Sequence, residues 1–458
     1  MSLKGIGGFF LVIAFGIIAG SFDLAVVGPS LPGIVGEFGL GPRSVSWVFT
    51  LYALFNLVSL PLVTGLADRY GKQRIMLFSL LMMGAAALLI AFSASFAQIL
   101  AGRALMGMSV SGVFPIAPAL VREHFPEGKR GSVLGMIGAS FGISLFAGPL
   151  LSGFFLDWFG WRSLYISVAV LALLALILAL RFLDREKVDR SVQIPMGSLL
   201  FLTLSIASLA LLLSGTGLGA SGLMANIPLL AGFVFAISLW LFVRKERRAE
   251  HRIFPALIIR STLTRLILIL GITAGVVQAC FIFLPHYLVD TFGVSDANAS
   301  FLLLPLVAFF TLGNYLAGRL TDKAGPLTVL SMGWLLLGGA FTLLGFTQHL
   351  PWFYLVTLLF GLGLSTLESP SLRYMLIHIP LKAFETRAQG LLSVFISLGQ
   401  LSGSAILGSL ASERLAGSYQ GAYAWMLVLA IGVIPAILML RNRFTKMKIT
   451  LKYGEHTK

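Results

Sequence analysis

Long apolar runs separated by short polar connections set the pattern of this chain. Fourteen can be marked, at roughly residues 7–29, 44–66, 74–92, 97–120, 131–154, 162–182, 197–215, 225–243, 264–288, 299–317, 327–346, 350–372, 388–411 and 421–440. A run of about 20 apolar residues is the length of one α-helix across a hydrocarbon layer about 30 Å thick. The runs are continuous and lack the alternation of a membrane β-barrel strand. The pattern predicts an all-α polytopic membrane protein with fourteen transmembrane helices. The first run is read as a spanning helix: it is too long for the apolar core of a cleaved leader, and it contains Asp23.

Composition agrees with the pattern. Hydrophobic residues make up 57% of the 458 residues and charged residues only 11%, where a soluble domain has about 25% charged. Mean hydropathy is +0.94. A net charge of +15 raises the idea of nucleic acid, but the placement of the charges answers it. With connections assigned alternately to two sides, 29 of the 33 Lys and Arg fall on the side of the N-terminus, 3 on the other, and Arg103 within a span. The positive-inside rule then puts both termini in the cytoplasm, in a cytoplasmic (inner) membrane. The basic charge serves orientation, so the expected partner is the lipid bilayer and not nucleic acid. A lone cysteine, Cys280, excludes an intrachain disulfide. No phosphate-binding Gly-Lys-Ser/Thr loop, His/Cys metal cluster or nucleophile elbow is found, so no cofactor, metal or enzymatic chemistry is expected.

Two connections are longer than the rest, 183–196 and 244–263. The second opens Arg244-Lys245-Glu246-Arg247-Arg248 and continues through Phe254 to Arg260, a basic amphipathic segment suited to the membrane surface. The expected organisation is an N-terminal six-helix bundle at 1–183, then a linker at 184–263 with two extra transmembrane helices. A C-terminal six-helix bundle at 264–441 and a basic tail at 442–458 follow.

A charged turn occurs twice. Thr64-Gly65-Leu66-Ala67-Asp68-Arg69-Tyr70-Gly71-Lys72-Gln73-Arg74 lies between the second and third runs, and Gly318-Arg319-Leu320-Thr321-Asp322-Lys323-Ala324-Gly325 lies 254 residues later between the tenth and eleventh. Asp68 can cap the start of a neighbouring helix and pair with a base, and Gly71 permits a tight reversal. The plainer reading is a solvated turn whose Lys and Arg only set topology.

Residues 64–74 resemble the G-x-L-x-D-R-x-G-x-x-[RK] motif of the major facilitator superfamily, with Thr64 where the first glycine is usual. The two-span insert, and Trp47-Val48 followed by Leu51-Tyr52-Ala53-Leu54, resemble its 14-span drug:proton antiporter branch. The resemblance implies two six-helix bundles related as parallel repeats, with substrate near the midplane between them. It also implies that Gly65, Asp68, Arg69, Gly71 and Arg74, with Gly318, Asp322 and Gly325, form a conformational latch.

Asp23 and Arg103 are the leading candidates for chemistry, because an ionisable residue inside a span costs at least about 2.5 kcal/mol and is usually partnered and functional. Each lies six residues from the outer end of its run, hence at the same depth, about 9 Å in. Asp23-Leu24-Ala25-Val26-Val27 resembles the antiporters' D-x-x-x-V element, and Arg103-Ala104-Leu105-Met106-Gly107 their R-x-x-q-G element, with Met106 in place of Gln. The resemblance implies proton coupling: Asp23 would bind and release the proton, and the approach and retreat of Arg103 would switch its affinity. The alternative is a static ion pair holding two helices in register.

Glycines at 131, 135, 138 and 142 share one helical face and permit close backbone approach. With Gly148, Pro149 and Gly153 they resemble the antiporter motif G-x-x-x-x-G-P-x-x-G-G, and a helix with a bend is expected. Glu368 is either a second proton or cation site or a local partner near the mouth. Tyr52, Asn56, Gln278 and Asn314 are candidate polar groups of a substrate cavity, with helix–helix hydrogen bonds as the alternative. His286 and Asp290 form a candidate surface pair. The functional expectation is a monomeric, proton-coupled exporter of small amphipathic or lipophilic compounds. Export of one endogenous lipid or metabolite, or a non-transporting sensor or scaffold of the same fold, are the alternatives.

Overall fold

The computed structural model describes residues 3–40, 42–183, 195–214, 227–249, 261–346, 349–379, 385–410 and 419–454. These residues are helical throughout, with no strand among them. In chain order the helices are α1 (Leu3–Phe38), α2 (Pro42–Tyr70), α3 (Lys72–Ala91), α4 (Phe96–Val110), α5 (Ile116–His124), α6 (Glu127–Phe159), α7 (Arg162–Phe182), α8 (Met196–Ser214) and α9 (Ile227–Arg248). They continue as α10 (Thr262–Phe292), α11 (Asp296–Leu302), α12 (Leu304–Ala324), α13 (Pro326–Phe346), α14 (Pro351–Leu367), α15 (Tyr374–Ile377), α16 (Glu385–Leu410) and α17 (Tyr419–Gly454).

Each of the fourteen predicted spans overlaps helix among the described residues, but the correspondence is not one to one. Ten helical stretches among the described residues are long and apolar enough to cross a membrane. The runs at 97–120, 197–215, 225–243 and 299–317 lie outside that set. The first is broken: α4 stops at Val110, residues 111–115 form a turn, and α5 resumes at Ile116. Three local features account for the break. Ser109 and Ser111 turn their hydroxyls onto the Met106 and Met108 carbonyls at 2.7 and 2.6 Å, Gly112 is a weak helix former, and Pro115 has no N–H to donate. The run at 299–317 divides into α11 and α12 with Pro305 at the start of α12, a position where its missing donor costs nothing. Helix α12 then carries Asn314, Arg319, Asp322 and Lys323, which lower its hydropathy. Helices α8 and α9 border residues outside the described set, and the expected amphipathic segment Phe254–Arg260 lies outside the described residues.

Another departure lies between α14 and α15. Residues Glu368–Arg373 form a π-helical turn. Pro370 sits in this turn, where its ring would meet the carbonyl four residues back in a regular helix; widening the helix relieves that. By contrast α6 passes unbroken through Pro149, where the sequence predicts a bend. At its other end, α17 extends well past residue 440 to Gly454.

The chain divides into two compact units that do not follow the sequence halves. The first comprises residues 1–126, 139–254 and 381–394; the second comprises 127–138, 255–380 and 395–458. In the first unit α1 packs on α7, α3 on α4 and α7, α2 on α4 and α8, and α8 on α9. Ile34, Ile90, Ile99, Trp161 and Tyr165 form a buried cluster in it, and Glu37 closes that cluster by accepting from Trp161 Nε1 at 3.0 Å and from Arg162. In the second unit α14 packs on α12 and α13, and α17 on α10 and α13.

Small residues set the closest crossings. In the second unit α10 and α16 meet backbone to backbone: a Cβ on Gly275 would collide with the Ile396 carbonyl, and one on Gly399 with the Ile272 carbonyl. Neither neighbour is a side-chain end that could swing away. Gly399→Val should therefore lower the thermal unfolding midpoint of the detergent-purified protein, at a cost of about 1–3 kcal/mol or more. Gly338→Ala, where no atom lies within 4 Å of the added carbon, should leave it unchanged.

Candidate functional site: a buried acid–arginine pair and two aspartate caps

Asp23 on α1 and Arg103 on α4 are both fully buried in the first unit, and they are in contact. One guanidinium nitrogen, Nη1, donates to both carboxylate oxygens, at 2.9 Å to Oδ1 and 2.8 Å to Oδ2. Arg103 Nε donates to the Val48 carbonyl on α2 at 3.1 Å, and the guanidinium carbon stands 4.5 Å from the centre of the Tyr52 ring. The arginine thus has an anion, a carbonyl and an aromatic face around it, which suits its planar and weakly hydrated head. Gly107, one turn beyond Arg103, makes this possible. A Cβ there would strike the Tyr52 carbonyl, so only glycine lets α2 come close enough to present Val48 and Tyr52. Tyr52 itself is buried, and its hydroxyl has no hydrogen-bond partner among the described residues. Gly148 on α6 faces Ala25, two residues from Asp23, with no room for a Cβ.

The repeated turns build two further sites. Gly71 and Gly325 have φ of 97° and 86°, a conformation in which side chains are strained, and each reverses the chain after its aspartate. Asp68, at the end of α2, meets the first turn of α16. Its Oδ2 lies 3.3 Å from the Arg387 backbone nitrogen, which donates to it, and 3.3 Å from Arg387 Nε. Gly65 faces the same guanidinium. Asp322, at the end of α12 in the second unit, accepts from the Gly131 and Ser132 backbone N–H groups, both at 2.7 Å, and from the Ser132 hydroxyl at 2.5 Å. Asp68 thus sits where a helix start offers unpaired N–H groups and partial positive charge, whereas Asp322 takes its two N–H groups from the second turn of α6.

The glycine face of α6 has its partner in α12. A Cβ on Gly131 would meet Asp322, one on Gly135 the Asn314 carbonyl, and one on Gly138 the Asn314 side chain. Gly318 receives Gly131 and Gly135 in return, and Gly142 is buried. Gly153 has open space around it.

Several residues that sequence reasoning does not single out join the Asp68 turn. Arg122 pairs with Glu385 at 2.7 Å, Lys72 pairs with Glu123, and Arg387 holds Asp68. One signal was available for Arg387. It follows an acid at the start of the thirteenth run as Arg130 does at the start of the fifth, 257 residues earlier, nearly the spacing of the turns.

The remaining candidates are scattered. Arg69 stacks on its neighbour Tyr70, with 5.3 Å from guanidinium carbon to ring centre, and Arg74 is exposed. Asn314 is buried and donates to the Phe310 carbonyl of its own helix at 2.9 Å. Asn56 and Gln278 are half-buried. The side chain of Glu368 lies outside the described residues. His286 and Asp290 line a surface cavity of about 270 Å³ with Pro285, Val289 and Tyr419; none of the four expected cavity residues lines it.

Comparison with known proteins fits this geometry. The family model of the Major Facilitator Superfamily matches residues 13–380 and 266–452. The MFS-type transporter YfiU of Bacillus subtilis is 28% identical, over 85% of this chain and 76% of its own. The drug efflux pump JefA of Mycobacterium tuberculosis is 25% identical, over 88% and 80%. The riboflavin transporter RibZ of Clostridioides difficile is 24% identical, over 81% and 80%. Among solved structures, the human organic anion transporter MFSD10 superposes with a TM-score of 0.70 at 17% identity, covering 95% of this chain and 98% of that one, a likeness of fold. The chain belongs to the Major Facilitator Superfamily and is a multi-pass membrane transporter.

Proposed function

We propose that this transporter is a proton-coupled exporter of small amphipathic or lipophilic compounds, working by alternating access in a cytoplasmic membrane with both termini inside. The observation that carries the reading is the Asp23–Arg103 pair. A carboxylate and a guanidinium away from water are stable together and costly apart, so the state of one governs the state of the other. Donation from Arg103 to both oxygens favours the anionic form of Asp23. A proton arriving at Asp23 removes the charge that Arg103 was paired with. The guanidinium keeps the Val48 carbonyl and the Tyr52 face, while α1 and α4 lose their strongest tie. Loading a proton and loosening two helices are then one event, as antiport requires. The similarity to a drug efflux pump supports export of foreign compounds, and the two-helix insert supports the 14-span antiporter branch. The similarity to a riboflavin transporter favours a second reading, a transporter dedicated to one metabolite.

The Asp68 and Asp322 contacts act in the same reading as latches, made in one conformation and released in the other. Tyr52, Asn56, Gln278 and Asn314 remain proposed cavity groups, and Glu368 a proposed second proton site.

Reconstitution into liposomes with an imposed pH gradient tests the proposal. A panel of cationic, neutral and lipid-like compounds should contain some that provoke proton leak. Asp23→Asn should abolish that leak while leaving compound binding in detergent within a few-fold of wild type. Folded Asp23→Asn protein with undiminished leak would end the proton-coupling reading, and leak provoked by one compound alone would select the dedicated transporter. For the latch, Asp68→Asn keeps the size of the side chain and removes its charge. Its turnover should fall about tenfold or more with little change in KM, as expected when a conformational step and not binding is affected.

A further inference from the structure

The two-helix insert, α8 and α9, stands apart from the Asp23 pair in sequence, yet its placement is specific. Ser205 on α8 donates to Ser238 on α9 at 3.1 Å, and the Lys245 ammonium lies 5.7 Å from the Phe201 ring centre, so the two helices are tied along their length. The buried Leu199 on α8 packs with Phe242 of α9, with Leu62 of α2 and with Leu391 of α16. Leu62 is six residues before Asp68, and Leu391 is one helical turn after Arg387. One side chain of the insert therefore touches both segments that make the Asp68 contact.

The end of α9 adds a charge. In Arg244-Lys245-Glu246-Arg247-Arg248 the four bases are exposed or half-exposed, whereas Glu246 is only 7% exposed. An acid in the last turn works against the helix dipole, and burying a carboxylate is costly without a cation nearby. The bases suit that dipole; the buried acid needs another explanation. Arg387 is also buried and paired with Asp68, and its charge and that of Glu246 act on one another across the same side of the first unit. A planar fork with five donors can serve two carboxylates at once.

We propose that the insert is a working part of the latch, in which Glu246 is a positioning residue that holds the Arg387 guanidinium toward Asp68 and the Leu199 contact ties the insert to both latch segments. The inference rests on the latch reading of Asp68. The insert then sets how readily the Asp68 contact opens. An insert that only widened the membrane footprint would have no need of a buried acid beside Arg387.

The test uses the full chain with Cys280→Ala and spin labels on cysteines at Tyr70 and Lys323, both exposed, one in each repeated turn. Pulsed electron resonance then reads the distribution of distances between them. Glu246→Gln should move the ratio of long to short distances about tenfold toward the longer. Glu246→Asp should restore most of the wild-type distribution, and Leu199→Ala should shift it in the same direction as Glu246→Gln. Should Glu246→Gln fail to fold, the Leu199→Ala and Glu246→Asp arms read the same shift in smaller measure. A distribution left unchanged by Glu246→Gln and Leu199→Ala, while Asp68→Asn moves it, overturns the role of the insert alone. A distribution that Asp68→Asn also leaves unchanged overturns the latch, and the insert's part with it. Loss of thermal stability without any shift in distances marks a merely structural role and counts against the proposal.

Discussion

A carboxylate drawn wholly or partly out of water must find donors, and three aspartates of this chain meet that constraint in three ways. Asp23 takes a guanidinium side chain end to end, with both oxygens on one nitrogen of Arg103. Asp322 takes the second turn of a helix, with two backbone N–H groups and a hydroxyl. Asp68 accepts a backbone N–H of Arg387 and forms an ion pair with the guanidinium of the same residue. Water is scarcest around Asp23, which is fully buried within a helical membrane protein, so that contact is the costliest of the three to lose. That is the property a two-state device needs, because a contact worth little cannot hold either state.

Close backbone approach is the second requirement, and it explains where glycine and its exceptions sit. Asp322 reaches the start of α6 because Gly131 has no Cβ to obstruct it. At the matching place in the first repeat the sequence has Thr64 where the superfamily motif has glycine, a departure with a visible compensation. Gly390 on α16 faces Thr64, and a Cβ there would lie 2.6 Å from the Thr64 methyl and hydroxyl. The threonine hydroxyl bonds back to the Leu60 carbonyl at 2.7 Å, so no polar atom is left over. In the second repeat Gly318 and Gly135 meet with neither side chain present. One crossing has lost a glycine and kept the other, which suffices for the helices to pass.

Features governed by period and by single-residue chemistry are legible in the residues themselves. The apolar runs announce the helices, the repeat marks Asp322 as the counterpart of Asp68, and equal depth on two runs anticipates Asp23 beside Arg103. Features that depend on which helix lies beside which are not legible in that way. Nothing local to Asp68 names Arg387, more than three hundred residues away, and nothing in Arg244–Arg248 says which of five charges is buried. Hydropathy passes over the break at 111–115 because it averages across Ser109, Ser111, Gly112 and Pro115, each of which weakens the backbone ladder without lowering the apolar character of the run. The π-turn at Glu368–Arg373 escapes for a related reason. Sequence order makes Pro370 a neighbour of Glu368, whereas its conflict is with a carbonyl one turn earlier.

The two turns resemble one another in sequence more than in physics. The donors that Asp322 meets among the described residues are neutral, so its hydrogen bonds are assisted by one charge, its own. The Asp68 contact joins buried charges of opposite sign, with Arg122, Glu385, Lys72 and Glu123 paired around it. Hydrogen bonds from neutral donors to one carboxylate depend chiefly on geometry. A contact between charges depends on every other charge in reach, and burial shields it little from them, since salt screens exposed pairs far more than buried ones. Neighbouring charges therefore bear more directly on the Asp68 contact, which is itself an ion pair, than on the hydrogen bonds of Asp322.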